Sequence, residues 1–184
     1  QREVGRDSGS YARALRAALR EDPDVIVIGD LRDTESIALA LTAAETGHIV
    51  LGTLSSTTAP KAIDRVITAF PHGEQPQVRV ALAESLKFVI AQRLLPIDGT
   101  RNRIACFEVL KGTMSVANLI RDEKTYQLVS AMQMGKLQGM QTFDDALREL
   151  VRAGRISAES AYLHAANRED FESLVSSEFL EEAR

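Results

Sequence analysis

The chain has 184 residues, 45% of them hydrophobic and 26% charged, with a formal net charge of −4. That suits one compact globular domain, or one domain with a small helical appendage. The charge excludes a general electrostatic attraction to nucleic acid or to an anionic membrane surface, and no apolar run approaches the roughly 20 residues that a spanning helix needs.

The sequence opens on Gln1-Arg2-Glu3, with neither an initiator Met nor a signal peptide, which predicts a fragment or a processed chain. Residues 8–21 are predicted to form a helix capped by Ser8 or Ser10, because Tyr11, Ala14, Leu15, Ala18 and Leu19 recur at helical spacing. Asp22-Pro23-Asp24 ends it, since the proline ring disfavours helical geometry in the residue before it. The β-branched run Val25-Ile26-Val27-Ile28 then reads as a strand buried on both faces of a parallel sheet.

A second helix is predicted from Thr34 to Thr46, with Asp33 or Thr34 as cap and Gly47 as a left-handed stop. A second buried strand over 48–54 follows, then the polar loop Ser55-Ser56-Thr57-Thr58 and a helix with Pro60 in its first turn. This succession is the βαβ pattern of an α/β domain. Residues 74–93 read as one helix, on the spacing of Val78, Leu82, Leu86, Val89 and Ile90. Asp98-Gly99 signals a hairpin between two strands, with a connection longer than two residues.

Beyond a boundary placed near residue 112, helices are predicted at 115–123, 125–134, 142–153 and 157–166, the third capped by Thr142. The acidic stretch 169–184 reads as a frayed helix or tail. The single cysteine, Cys106, lies in an apolar run and reads as a buried structural thiol, compatible with a reducing cytoplasmic compartment.

Two constellations carry chemistry. Asp30 follows the first strand, where open α/β sheets place their ligand crevices. A carboxylate there can hold Mg²⁺ through water or orient the water that attacks a phosphate; it can equally be a turn former, and Arg32 and Asp33 an ordinary surface pair. The second is Thr46-Gly47-His48 with the strand after it. His48 is expected to reach the same crevice, where an imidazole can meet a phosphate oxygen, although a histidine beside glycine is often structural. Ser55 to Thr58 offer hydroxyls at the strand end or simply cap the next helix. His72 and His164 have no Cys or His partner at zinc spacing, so no structural metal is expected. Glu45, Glu84 and Glu108 read as structural.

Taken together, Gln1 to Asp7, Ala14 to Asp24, Leu39 to His48 (LALTAAETGH), Ile63-Asp64-Arg65-Val66, Ser85-Leu86, Asn118-Leu119-Ile120-Arg121 and Gly139 to Phe143 resemble, in order, the type IV pilus retraction ATPases of the type II and type IV secretion motors. The resemblance implies part of a RecA-like ATPase core over 1–112 and a helical C-terminal subdomain over 113–184. It further implies ATP and Mg²⁺ as cofactors and a cytoplasmic homohexamer at the pilus base, peripheral to the inner membrane. By the same resemblance, hydrolysis is expected to drive domain rotation against an inner-membrane platform protein, with a paralogous motor ATPase as a further partner, no nucleic acid bound and no direct membrane insertion.

By position, Asp30 matches the Walker B carboxylate and His48 the first residue of the histidine box, with Ser55 and Arg32 as nucleotide-contacting positions. Asn118, Leu119, Ile120 and Arg121 match a surface motif tied to retraction; Leu119 and Ile120 lie on adjacent helix faces, and a helix packed on the core is the alternative reading for both. Three departures bear on activity. No G-x-x-x-x-G-K-[ST] loop occurs, and the acidic box that should precede Gln1 is missing, so this chain by itself is expected not to hydrolyse ATP. Asp30 stands where the family usually carries Glu, and a misplacement of about 1 Å can cost on the order of 10²-fold. Ser55 stands where the second histidine of the box is usual. The last two favour a catalytically weak coupling subunit as the alternative reading. A lesser one, a pilus-assembly or type II secretion ATPase, is disfavoured because those relatives often carry a four-cysteine insert.

Overall fold

A computed structural model describes residues 1–183. The elements, in order, are α1 (Tyr11–Ala18), β1 (Val25–Ile28), α2 (Thr34–Glu45), β2 (Ile49–Gly52), α3 (Ala59–Thr68), α4 (Gln75–Ser85), β3 (Phe88–Pro96), β4 (Arg103–Lys111), α5 (Met114–Arg121), α6 (Leu128–Met134), α7 (Phe143–Arg152), α8 (Ala158–His164) and α9 (Ser177–Glu182). Short 3₁₀ turns lie at Thr125–Gln127, Lys136–Gln138 and Glu169–Leu174. Two compact units result, which do not divide at residue 112. One comprises Gln1–Ser56, Pro60–Lys87 and Gly112–Leu128; the other comprises Thr57–Ala59, Phe88–Lys111 and Val129–Arg184.

In the first unit β1 and β2 pair in parallel, Val25 opposite Ile49 and Ile28 opposite Gly52. Ile26 and Ile28 turn into a core with Leu15, Ala40 and Ala43, supplied by α1 and α2. The opposite face corrects the expectation of two-sided burial: Val27 is 71% and Leu51 55% exposed. α1 and α2 cover one side only, and no described element of this unit covers the other. Ser10 caps α1 through Arg13 N–H, and Asp33 caps α2 through the N–H and hydroxyl of Ser36. Gly47, at φ +102°, ends the α2 turn in a left-handed conformation. α4 packs against α2 and α5, burying Val78, Leu82, Val116 and Ile120.

The segment 88–93 is strand, not the last turns of a helix. Leu86 adopts extended geometry (ψ 124°) and stops α4. Phe88 onward then pairs antiparallel with β4 over nine positions, Phe88 opposite Lys111 and Pro96 opposite Arg103. β-Branched and aromatic residues fit such a pleated ribbon, and cross-strand pairing outweighs the helical spacing of their apolar positions.

In the second unit the β3–β4 ribbon contributes Ala91, Leu95 and Cys106 to a core completed by Phe143, Leu147, Ile156, Tyr162 and Phe171. The acidic end is folded as far as it is described: Phe171 is fully buried, which contributes about 1.5–3 kcal/mol for a side chain of this type, and Phe179 meets Tyr162 edge-on at 5.8 Å. Asp144 helps to hold that stretch by accepting from Ala166 and Asn167 N–H at 2.8 and 3.0 Å. Glu108 is buried and accepts from Ala59 N–H at 2.6 Å. Burial raises its pKa, partly offset by that bond. Burial likewise pushes the Cys106 thiol up to about 11, so it is an inert core thiol.

Thr142 and Asp145 form a capping box on α7, and Asp145 also takes Lys136 Nζ at 2.7 Å and Arg148 Nη1 at 3.2 Å. Burial alone would raise the Asp145 pKa, but Lys136 and Thr142 outweigh it and hold the carboxyl below its ordinary 3.8. A depressed folded pKa means stabilisation that is present above the unfolded value and lost as pH falls through the folded one. Asp145→Ala should therefore cost about 1–2 kcal/mol near neutrality, as cap losses do. In urea titrations the gap from wild type should close as pH drops below about 4; a gap independent of pH would contradict this account of Asp145.

Candidate functional site at the strand ends

Because β1 and β2 run parallel, both C-terminal ends open on one edge of the pair. Leu31 N–H donates to Thr53 O at 2.8 Å and Thr53 N–H to Ile28 O at 3.2 Å, so the two exit loops continue the ladder. The Thr53 hydroxyl donates to Gly29 O at 2.5 Å, a third tie between them. Asp30 leaves β1 here with its side chain 23% exposed, ion-paired through Oδ2 to Nε of Arg32, which is 79% exposed. Ser55 lies exposed on the other loop, and its carbonyl accepts from Arg65 Nη1 at 2.8 Å. Asp33 then turns the chain into α2, its carboxyl held below 3.8 first by the Ser36 backbone N–H.

Asp30, Arg32 and Ser55 thus share an edge, and a carboxylate, an exposed guanidinium and hydroxyls at such an edge suit a hydrated cation and phosphate oxygens. Arg65 and Thr53 are additions to the residues singled out from sequence. Arg65 lies in the matched run Ile63 to Val66, but nothing in the sequence reveals that its guanidinium grips the Ser55 carbonyl.

His48 does not join them. It precedes β2, and Ile49 N–H donates to Asp24 O at the opposite, N-terminal edge. A four-residue strand rises about 13 Å, which separates the two edges. The half-buried His48 ring is engaged there through Nδ1 with Ala43 O at 3.0 Å and the Thr46 hydroxyl at 3.2 Å, tying it to the end of α2. The expectation that His48 reaches the Asp30 crevice within this chain is corrected by strand direction.

Within Asn118 to Arg121, Asn118 and Arg121 are exposed and bonded to each other, Arg121 Nη1 donating to Asn118 Oδ1 at 2.9 Å. Leu119 is half-buried, and Ile120 is fully buried, a core residue rather than a surface one. A cavity of about 390 Å³ in the second unit is lined by Lys136, Gln141, Asp145, Arg148, Glu149 and Arg152, among others. Of its cations, Lys136 and Arg148 are paired to Asp145, and Arg148 also to Asp170.

The family described as "Type II/IV secretion system protein" matches residues 4–168. The chain belongs to that family. It is 50% identical over 169 residues to a twitching motility protein of Neisseria gonorrhoeae, covering 92% of this chain and 45% of that protein. It is 52% identical over 171 residues to the type IV pilus retraction ATPase PilT of Pseudomonas aeruginosa, covering 93% of this chain and 49% of that one. A crystal structure of the pilus retraction motor PilT with bound ADP superposes with a TM-score of 0.83 at 45% identity, over 94% of this chain and 48% of the other. The fold class is therefore α/β, part of a RecA-like ATPase core. The chain spans about half the length of the curated relatives it matches.

The contact beneath Asp30 and Arg32 is testable. A Cβ on Gly52 would lie 2.5 Å from Leu31 Cδ1, whereas one on Gly9 would meet nothing within 4 Å. Gly52→Val should cost about 1–3 kcal/mol in urea unfolding, the usual range for overpacking, and Gly9→Ala should leave the midpoint within the experimental spread. Equal behaviour of the two would refute the close packing of Leu31 over β2.

Proposed function

We propose that this chain is the motor half of a type IV pilus retraction ATPase, whose full-length form binds ATP with Mg²⁺ and works as a homohexamer on the pilus platform protein of the inner membrane. The observation that carries the reading is the meeting of Asp30, Arg32 and Ser55 at the C-terminal edge of a parallel strand pair, in a chain half identical to proteins named for retraction and twitching. The exposed apolar face of β1 and β2 supports it further, since a larger α/β core covers both faces of such strands. No described helix is long and apolar enough to cross a membrane, compatible with a motor seated at the cytoplasmic side of the pilus base.

In this reading Mg²⁺ supplies neutralisation of phosphate charge. Asp30 orients the attacking water or holds the hydration shell of the cation, and accepts a proton at its carboxylate. Ser55 donates its hydroxyl hydrogen to a phosphate oxygen, where a histidine would add a cation. Arg32, on a flexible exposed stem and paired with Asp30 in this state, exchanges that partner for a phosphate and releases the carboxylate. The phosphate-cradling loop has no counterpart among these residues, so the grip on the nucleotide comes from the rest of the full-length protein. His48 then serves through the α2 turn rather than at the phosphates of its own subunit.

The shorter Asp30 and the hydroxyl of Ser55 favour one second reading, a catalytically weak subunit that couples an active partner to the pilus. Mg²⁺-dependent ATP turnover of the full-length protein separates the two. The motor reading expects measurable turnover that falls about 10²–10⁴-fold in Asp30→Ala and is held or raised in Ser55→His. Intact rings that turn over no ATP in any of the three proteins would establish the coupling subunit instead.

A further inference from the structure

The end of α5 is built in a way that the turn alone does not require. The helix closes at Asp122, and the next residue, Glu123, takes φ +61°, a left-handed position that glycine or asparagine usually fills. Lys124 N–H reaches back to Leu119 O at 2.8 Å and completes the stop. A glutamate is disfavoured at such a position, but its 67%-exposed carboxylate forms an ion pair with Arg79 Nε at 3.4 Å, and that buried Nε has no hydrogen-bond partner among the described residues. Arg79 projects from α4 with only 14% of its side chain exposed, and its Nη1 donates at 3.5 Å to Ile120 O, a carbonyl at the C-terminal end of α5 that also accepts from Glu123 N–H at 3.4 Å. A buried guanidinium at a helix C-terminus also complements the negative end of its dipole. One arginine therefore touches both the Ile120 carbonyl at the end of α5 and the strained residue beyond it. On the opposite, exposed side of the same turn, Asn118 and Arg121 form their hydrogen-bonded pair.

We propose that Arg79 and Glu123 form a clasp that fixes the end of α5 and so presents Asn118 and Arg121 in the orientation needed to engage the pilus machinery, making Arg79 a positioning residue for retraction rather than for hydrolysis. The inference rests on the reading of Asn118 to Arg121 as a retraction surface. It separates two properties that a merely structural arginine would move together. Loosening the clasp leaves nucleotide turnover intact and uncouples it from work, because Arg79 is not among the residues at the Asp30 edge.

The test uses the full-length protein, with ATP turnover measured on purified rings and retraction measured as twitching zone in cells lacking the native copy. Four variants are compared: Arg79→Gln, Arg79→Lys, Glu123→Gly and the double variant Asn118→Ala/Arg121→Ala. Glu123→Gly removes the carboxylate while suiting the left-handed backbone, so it keeps the fold even if Arg79→Gln does not. The expected result is turnover within twofold of wild type for Arg79→Gln and Glu123→Gly, with twitching reduced at least tenfold, as in the double variant, and partial rescue by Arg79→Lys. Full twitching in Glu123→Gly and Arg79→Gln, beside a non-twitching double variant, overturns the clasp. Turnover and twitching falling in parallel in both clasp variants also overturns it, by making the role structural. Normal twitching in the double variant overturns the underlying reading of the motif, and the clasp with it.

Discussion

Four residues of parallel ladder, Val25 to Ile28 against Ile49 to Gly52, decide at which edge Asp30, Ser55 and His48 stand. Parallel pairing sends both strands out at one edge, and the backbone bonds of Leu31 and Thr53 carry the pairing into the loops themselves. Asp30 and Ser55 leave at the same edge because their strands end together, and His48 is set apart because its strand begins at the other edge. Gly52 supports the arrangement by leaving room for Leu31 between Asp30 and Arg32. The chemistry at this edge follows from strand direction before any side chain is considered.

Much of this was legible in the sequence. Asp33, Gly47, Thr142 and Ser10 announced helix ends by known backbone chemistry, and the run Val25 to Ile28 announced a strand. What that run could not announce was the number of faces it buries: four β-branched residues read alike whether one or both sides are covered. Residues 74–93 failed for a different reason. Val78, Leu82, Leu86, Val89 and Ile90 satisfy a helical period, but the same Phe88, Val89 and Ile90 satisfy a ribbon, and only the distant partner strand Arg103 to Lys111 decides.

His48 is the instructive miss among the site residues. The βαβ pattern already implied parallel strands, and a residue that opens the second strand must then lie opposite the residue that closes the first. The acidic composition of residues 169–184 similarly concealed Phe171 and Phe179, whose aromatic area outweighs the charges around them. Pairings between distant residues left no local trace at all: Glu108 on Ala59 N–H and Arg79 on the end of α5 both span long stretches of chain.

In the function proposed above, phosphate chemistry belongs to the edge shared by Asp30 and Ser55. A crystal structure of the full-length protein with Mg²⁺ and a non-hydrolysable ATP analogue tests it most directly. The account expects the terminal phosphate and its cation within water-mediated reach of Asp30 and Ser55, with His48 of the same subunit about a strand length away, roughly 13 Å. Terminal phosphate oxygens bonded to His48 of that subunit, with Asp30 remote from the cation, would contradict it.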